Sequence, residues 1–143
     1  MDAYYIPVIT DRVQTDVTWH TAKGFFNLSD WQRIYQNSYT ASIATGSSFD
    51  TITPPTLTSI PTIANLNKLI LNIERARLAS ISAGALSSLR YNWGEGNVSA
   101  IRFTDVNLWE QTLAAILDVY IQRYERCGIA KCGQGLTRNN GWR

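Results

Sequence analysis

The chain has 143 residues, 45% of them hydrophobic, which is the size of one domain with enough apolar surface for a core. Thirteen basic residues against eleven acidic ones leave a net charge of +2, too small a bias to imply a phosphate-binding surface unless the cations cluster. Five Trp, seven Tyr and four Phe argue against disorder, because each large ring buries a wide area in a core or an interface.

Residues 1–9 carry Pro7 and alternate poorly, so they read as an extended N-terminal arm and not as a central strand; an arm of this kind can lie on a neighbour. The opening lacks the basic start and apolar run of a secretory signal, and no stretch is long and apolar enough to span a membrane. From Thr10 the text TDRVQTDVTWHTAKG offers a Thr or Asp cap, Val13 and Val17 four apart, and a stop at Gly24, which predicts a short first helix. Ser29 followed by Gln32 reads as a capping box that opens a second helix carrying Trp31, Ile34 and Tyr35 and ending near Gly46. The following Pro/Ser/Thr-rich text to Pro61 predicts an irregular connection.

Thr62 caps a third predicted helix, with Ile63, Leu66, Leu69, Ile70, Ile73, Arg77, Leu78 and Ile81 at spacings of three and four; Glu74, Arg75 and Arg77 read as its solvated side, or else as a contact stripe for another subunit. Gly94 and Gly96 mark a loop. A fourth helix is expected from Thr104, with Val106, Trp109, Leu113, Ile116, Leu117, Tyr120 and Tyr124 on one face and a stop at Gly128. The fold class is therefore all-α: a single domain over 1–143, with an arm at 1–9, a bundle of about four helices at 10–126, and an extended C-terminal tail at 127–143.

Three helix starts share a pattern when Gln32, Asn67 and Asn107 are set in register: apolar, amide, any residue, apolar, then Asn37, Asn72 or Thr112 three further on. An amide beside a buried face reaches a neighbouring helix end or loop carbonyl and fixes register, whereas chance alignment of three amphipathic helices gives the same spacing without that role. The separations are compatible with either a bundle or a helical repeat array. Ser29, Asp30, Gln32, Asn67, Thr104, Asp105 and Asn107 are the candidate helix-start and register residues. Asp11, Asp30 and Asp105 each stand in a predicted first turn, where a carboxylate offsets the positive end of the helix dipole.

Catalytic, cofactor-binding and metal-binding residues are not expected. His20, the only histidine, stands four residues after Asp16 and reads as a helix-surface pair; no phosphate loop or nucleophile elbow is present. Cys127 and Cys132 with His20 are three Cys or His side chains, one short of a structural zinc site, leaving free thiols, a local disulfide or a site shared between subunits. The last 21 residues set Arg123, Arg126, Lys131, Arg138 and Arg143 against Glu125 alone. With Trp142, Tyr4 and Tyr5 these cations form the candidate interface. The alternative reading of the tail is a nucleic-acid-binding module, which dilution of the cations and the lack of a recognition helix disfavour.

The stretches ITDRVQTDV, KGFFNLSDWQRIYQN, IPTIANLNKLILNI and IRFTDVNLWEQTLAAIL resemble, in this order, segments of small tail- or baseplate-associated structural proteins of bacteriophages and prophages of Gram-positive hosts. The likeness spans about two thirds of the chain. It departs from the family pattern at Trp31, Gln32, Lys68 and Leu108, where Leu, Asn, Arg and Arg are usual. The resemblance implies a non-enzymatic virion protein made in the host cytoplasm. Such a protein acts as an assembly subunit or adaptor, with a homo-oligomer and other virion proteins as partners, no membrane, and no cofactor.

Overall fold

The computed structural model describes residues 3–19, 27–58, 62–80, 86–94 and 101–126. Four helices occur among them and no strand: α1 (Gln14–Thr18), α2 (Leu28–Thr45), α3 (Ile63–Ala79) and α4 (Phe103–Arg126). Each of the three long helices packs against both others, so the spacing of the register positions belongs to an all-α bundle and not to a solenoid.

The bundle core is the repeat made physical. Trp31, Leu66 and Val106 are all buried, as are Ile34, Leu69 and Trp109 three residues further on. Ile73, Leu113, Ile116 and Leu117 extend the same stripes. The irregular segments close the ends: Ile52, Leu89 and Trp93 are buried from outside the helices, and the Tyr35 hydroxyl accepts from the Ile52 N–H at 3.2 Å. Phe49 packs its ring against both Tyr35 and Tyr39.

Helix ends follow local chemistry, with some departures from expectation. Thr62 caps α3 by accepting from the Asn65 N–H at 3.1 Å, and α2 ends on Gly46 in the left-handed conformation (φ 73°). The box at the start of α2 is displaced by two residues. Asn27 is the cap and accepts from the Asp30 N–H, while Asp30 returns the contact to the Asn27 N–H, both at 3.1 Å. Ser29 donates to the Asn27 side chain, and Gln32 is exposed. At α4 the Arg102 N–H donates to Asp105 at 2.8 Å, which starts the helix one residue before Thr104 and leaves that threonine exposed in the first turn.

The largest departure is α1. Thr10 and Asp11 do not cap it; they lie in extended chain, and the helix has five residues in place of a run to Gly24, which lies outside the described residues. The late start follows from competition for backbone groups. Side chains of α4 hold the Ile9 N–H and both backbone groups of Arg12, so the Arg12 carbonyl makes no helix bond to Asp16, and the first turn is set at Val13, whose N–H donates to Asp16 at 2.9 Å. Val13 and Val17 are consequently exposed, and α1 contributes no buried residue. In α3, Leu78 and Ile63 are exposed, while Glu74 and Arg77, expected on the solvated side, are buried. Ile81 and Gly96 lie outside the described residues.

Two left-handed glycines give a graded test. Alanine at Gly46 meets no atom within 4 Å, so Gly46→Ala is expected to cost only the backbone term, about 1–2 kcal/mol. At Gly94 (φ 82°) an added Cβ falls 2.9 Å from Ile63 Cγ2, at a branched and inflexible position, so Gly94→Ala is expected to cost more. Denaturant unfolding of both variants checks the order; equal losses would show that the contact of Gly94 with α3 is immaterial.

Candidate functional site

Two of the register residues, Asn67 and Asn107, hold the main chain of segments that lie outside the helices. Asn107 on α4 accepts from the Arg12 N–H at 3.3 Å and donates to the Arg12 carbonyl at 2.9 Å. Asn67 on α3 embraces Trp93 in the same way, with both contacts at 2.9 Å. Asn37 and Asn72, at the second polar position of the repeat, do likewise for Ile6 (2.8 Å each) and Asp50 (2.8 and 2.9 Å). A primary amide offers one acceptor and one donor side by side, which matches the N–H and C=O of a single residue.

These clasps tie three segments outside the helices to the bundle. Residues 4–12 are gripped by the second amide position of α2 and by the first position of α4. The chain before α3 is gripped by the second position of α3, through Asp50, and the chain before α4 by the first position of α3, through Trp93. Two of the six positions differ: Gln32 is exposed, and the Thr112 hydroxyl turns back to the Leu108 carbonyl.

At the first segment the clasp is joined to charge. Arg12, only 4% exposed, lies among Asp30, Arg33 and Glu110. Its guanidinium meets Asp30 Oδ1 at 3.2 Å, Glu110 Oε2 at 2.8 Å and the Asn107 oxygen at 3.2 Å, and also donates to the Ile9 carbonyl at 2.6 Å. Arg33 donates to Asp30 and, through both Nε and Nη2, to Glu110. Two cations and two anions thus balance in a site where no side chain is more than 9% exposed. Burial disfavours the charged form of Arg33, but its hydrogen bonds to Glu110 and Asp30 outweigh this and raise its pKa above the ordinary arginine value. Glu110 Oε1 also accepts from the Ile9 N–H at 3.3 Å, and Asp30 uses its second oxygen for the α2 cap.

The remaining contacts along the arm are of the same kind. Thr40 Oγ1 accepts from the Tyr4 N–H at 3.0 Å and donates to the Tyr4 carbonyl at 2.6 Å. The Tyr5 ring packs against the core, and its burial, helped by the nearby charge of Asp118, raises its hydroxyl pKa from the usual 10.0. The arm therefore lies on α2 and α4 of its own chain, whereas the sequence left open that it lies on a neighbour. A second, separate cluster repeats the theme on α3. Arg77 pairs with Glu74, which also accepts from the Leu89 N–H, while Arg77 donates to the Leu86 carbonyl. Its hydrogen bonds to Glu74 raise the Arg77 pKa against the opposing effect of burial.

Chemically, the site is suited to holding a chain: each carboxylate accepts from two guanidinium groups in a buried, charge-balanced cluster. Among the described residues no group of three His, Cys, Asp or Glu side chains is placed to hold a metal ion. A groove of about 620 Å³ opens between α1 and the start of α4, lined by Arg12, Gln14, Val17, Ile101, Phe103 and Val106 among others. Residues 20–26 and 95–100, which adjoin it in sequence, lie outside the described residues.

Of the expected interface residues, Tyr4 is 38% exposed, and Arg123 and Arg126 stand in the last turns of α4, where side chains are not described. Lys131, Arg138, Trp142 and Arg143 lie outside the described residues, as do His20, Cys127 and Cys132. Arg12, Arg33, Glu110 and Thr40 are site residues beyond those expected from the sequence. Glu110 had a signal: in the repeat register it occupies the buried position of Tyr35 and Ile70. No family model, curated protein or solved structure matches the chain.

The cluster makes a non-additive prediction. Arg12→Met removes one cation and leaves two buried carboxylates with Arg33 alone, which is expected to destabilise the fold by about 3–5 kcal/mol. Adding Glu110→Gln removes the surplus negative charge, so the double variant is expected to be more stable than the sum of the two single losses. Strict additivity in denaturant unfolding would contradict the charge-balance account.

Proposed function

We propose that the chain is a non-enzymatic structural protein of a phage tail or baseplate, working as an assembly subunit or adaptor through protein–protein contacts. The observation that carries the reading is the division of labour among its side chains. The buried polar groups of the arm, α2, α3 and α4 hold the chain's own segments. Large apolar groups stand outside instead: Leu57 is 92% exposed, Trp19 76% and Leu78 63%. Side chains so exposed are available for contact with other polypeptides, and Trp is enriched where such contacts carry binding energy.

The phage assignment is supported by the order of the motif likenesses. Polar residues of these motifs have physical duties in this fold: Arg12 and Asp30 of the first two motifs meet in the buried cluster, and Asn107 of the last motif holds Arg12. On this reading the protein is made in the host cytoplasm and resides in the virion, with other virion proteins and copies of itself as partners. No helix among the described residues is long and apolar enough to cross a membrane.

Solution mass of the full chain is the direct test. A species at a multiple of 16.1 kDa, and crosslinks to tail or baseplate proteins in purified particles, are the expected results. A monomer at all concentrations that is absent from particles would remove the reading, and salt-sensitive retention on DNA by such a monomer would favour the nucleic-acid alternative.

A further inference from the structure

The arm is held by a groove that reads backbone. Tyr4, Ile6, Ile9 and Arg12 are gripped through main-chain N–H groups, by Thr40 and Asn37 of α2 and by Glu110 and Asn107 of α4. The buried charged side chain the arm delivers is that of Arg12, and the receiving site without it holds Asp30 and Glu110 against Arg33, a net negative charge in a buried place. The groove is thus a receptor for an extended peptide that presents one arginine. The joint between arm and bundle is α1, which buries none of its residues and so adds little to keep the arm at home.

Building on the assembly-subunit reading, we propose that the α2–α4 groove accepts the arm of a second copy of this chain, and that exchange of arms links copies. An arm arriving from another copy makes the same hydrogen bonds and the same four-charge cluster. The free-energy difference between the closed and the exchanged forms therefore lies in the joint and in the entropy of association, and high local concentration favours exchange. Reciprocal exchange closes a dimer; one-way exchange propagates a ring or filament.

Between-chain crosslinking tests this in the full chain, with Cys127→Ser and Cys132→Ser in every version. One chain carries Ala3→Cys beside the arm residue Tyr4; the other carries Ile43→Cys, one turn along α2 from Thr40 and exposed. The two are mixed and treated with a short bis-maleimide, and a chain carrying both substitutions reports the closed form. The expected result is a between-chain product that is lost when the arm-bearing chain also carries Arg12→Met, and lost again when the groove-bearing chain carries Asn107→Ala.

A within-chain product alone overturns the proposal. So does a between-chain product indifferent to both substitutions, which would mark proximity through another surface. A chain oligomeric by mass that gives either result keeps its assembly role and loses arm exchange, whereas a chain monomeric throughout loses both.

Discussion

Four charges buried where the arm, α2 and α4 meet hold the rest of the architecture in register. Asp30 caps α2 with one oxygen and binds Arg12 and Arg33 with the other; Glu110 binds the same two guanidiniums from α4 and also takes the Ile9 N–H. Such a cluster is a poor source of net stability, because desolvating the ions offsets most of their attraction. Its value is selectivity. A shift of the arm by one residue would withdraw Arg12 and leave an unbalanced negative charge, so a single alignment of arm, cap and helix satisfies all four groups at once.

The asparagine clasps extend that logic to chain that forms no helix. Irregular segments carry N–H and C=O groups that need partners wherever they touch a core, and each unpaired group costs about 1–3 kcal/mol. Asn37, Asn67, Asn72 and Asn107 answer both groups of one residue with one side chain, which lets Asp50 and Trp93 sit against the bundle without a strand beside them. The clasp on Arg12 also bears on where α1 begins: Asn107 holds the Arg12 carbonyl, which is thereby withdrawn from the first helical turn.

Much of this architecture was legible where short-range chemistry decides it. The Thr62 cap, the glycine end of α2 and the apolar stripes of α3 and α4 follow from neighbours within a turn or two. The register of Asn67 and Asn107 was visible as a pattern, although Gln32 shares the pattern and is exposed, because a spacing fixes a helix face and not what covers it. The charged residues were the hard part. Glu74 and Arg77 read as a solvated face since charges are rarely buried unless paired, and their enclosure depends on Leu86 and Leu89 from a later segment. Arg12 is harder still, for its clasp lies 95 residues away in sequence, and nothing local distinguishes it from a surface arginine.

The account stands on the claim that one anchored end governs the whole arm. Hydrogen exchange at single amides tests it most directly, comparing the native chain with Asn107→Ala, which removes the clasp on Arg12 and leaves Thr40 and Asn37 untouched. The expected result is joint loss of protection at Tyr4, Ile6, Ile9 and Arg12, with Asp50 and Trp93 unchanged. Faster exchange confined to Arg12, with Tyr4 and Ile6 as protected as before, would contradict it.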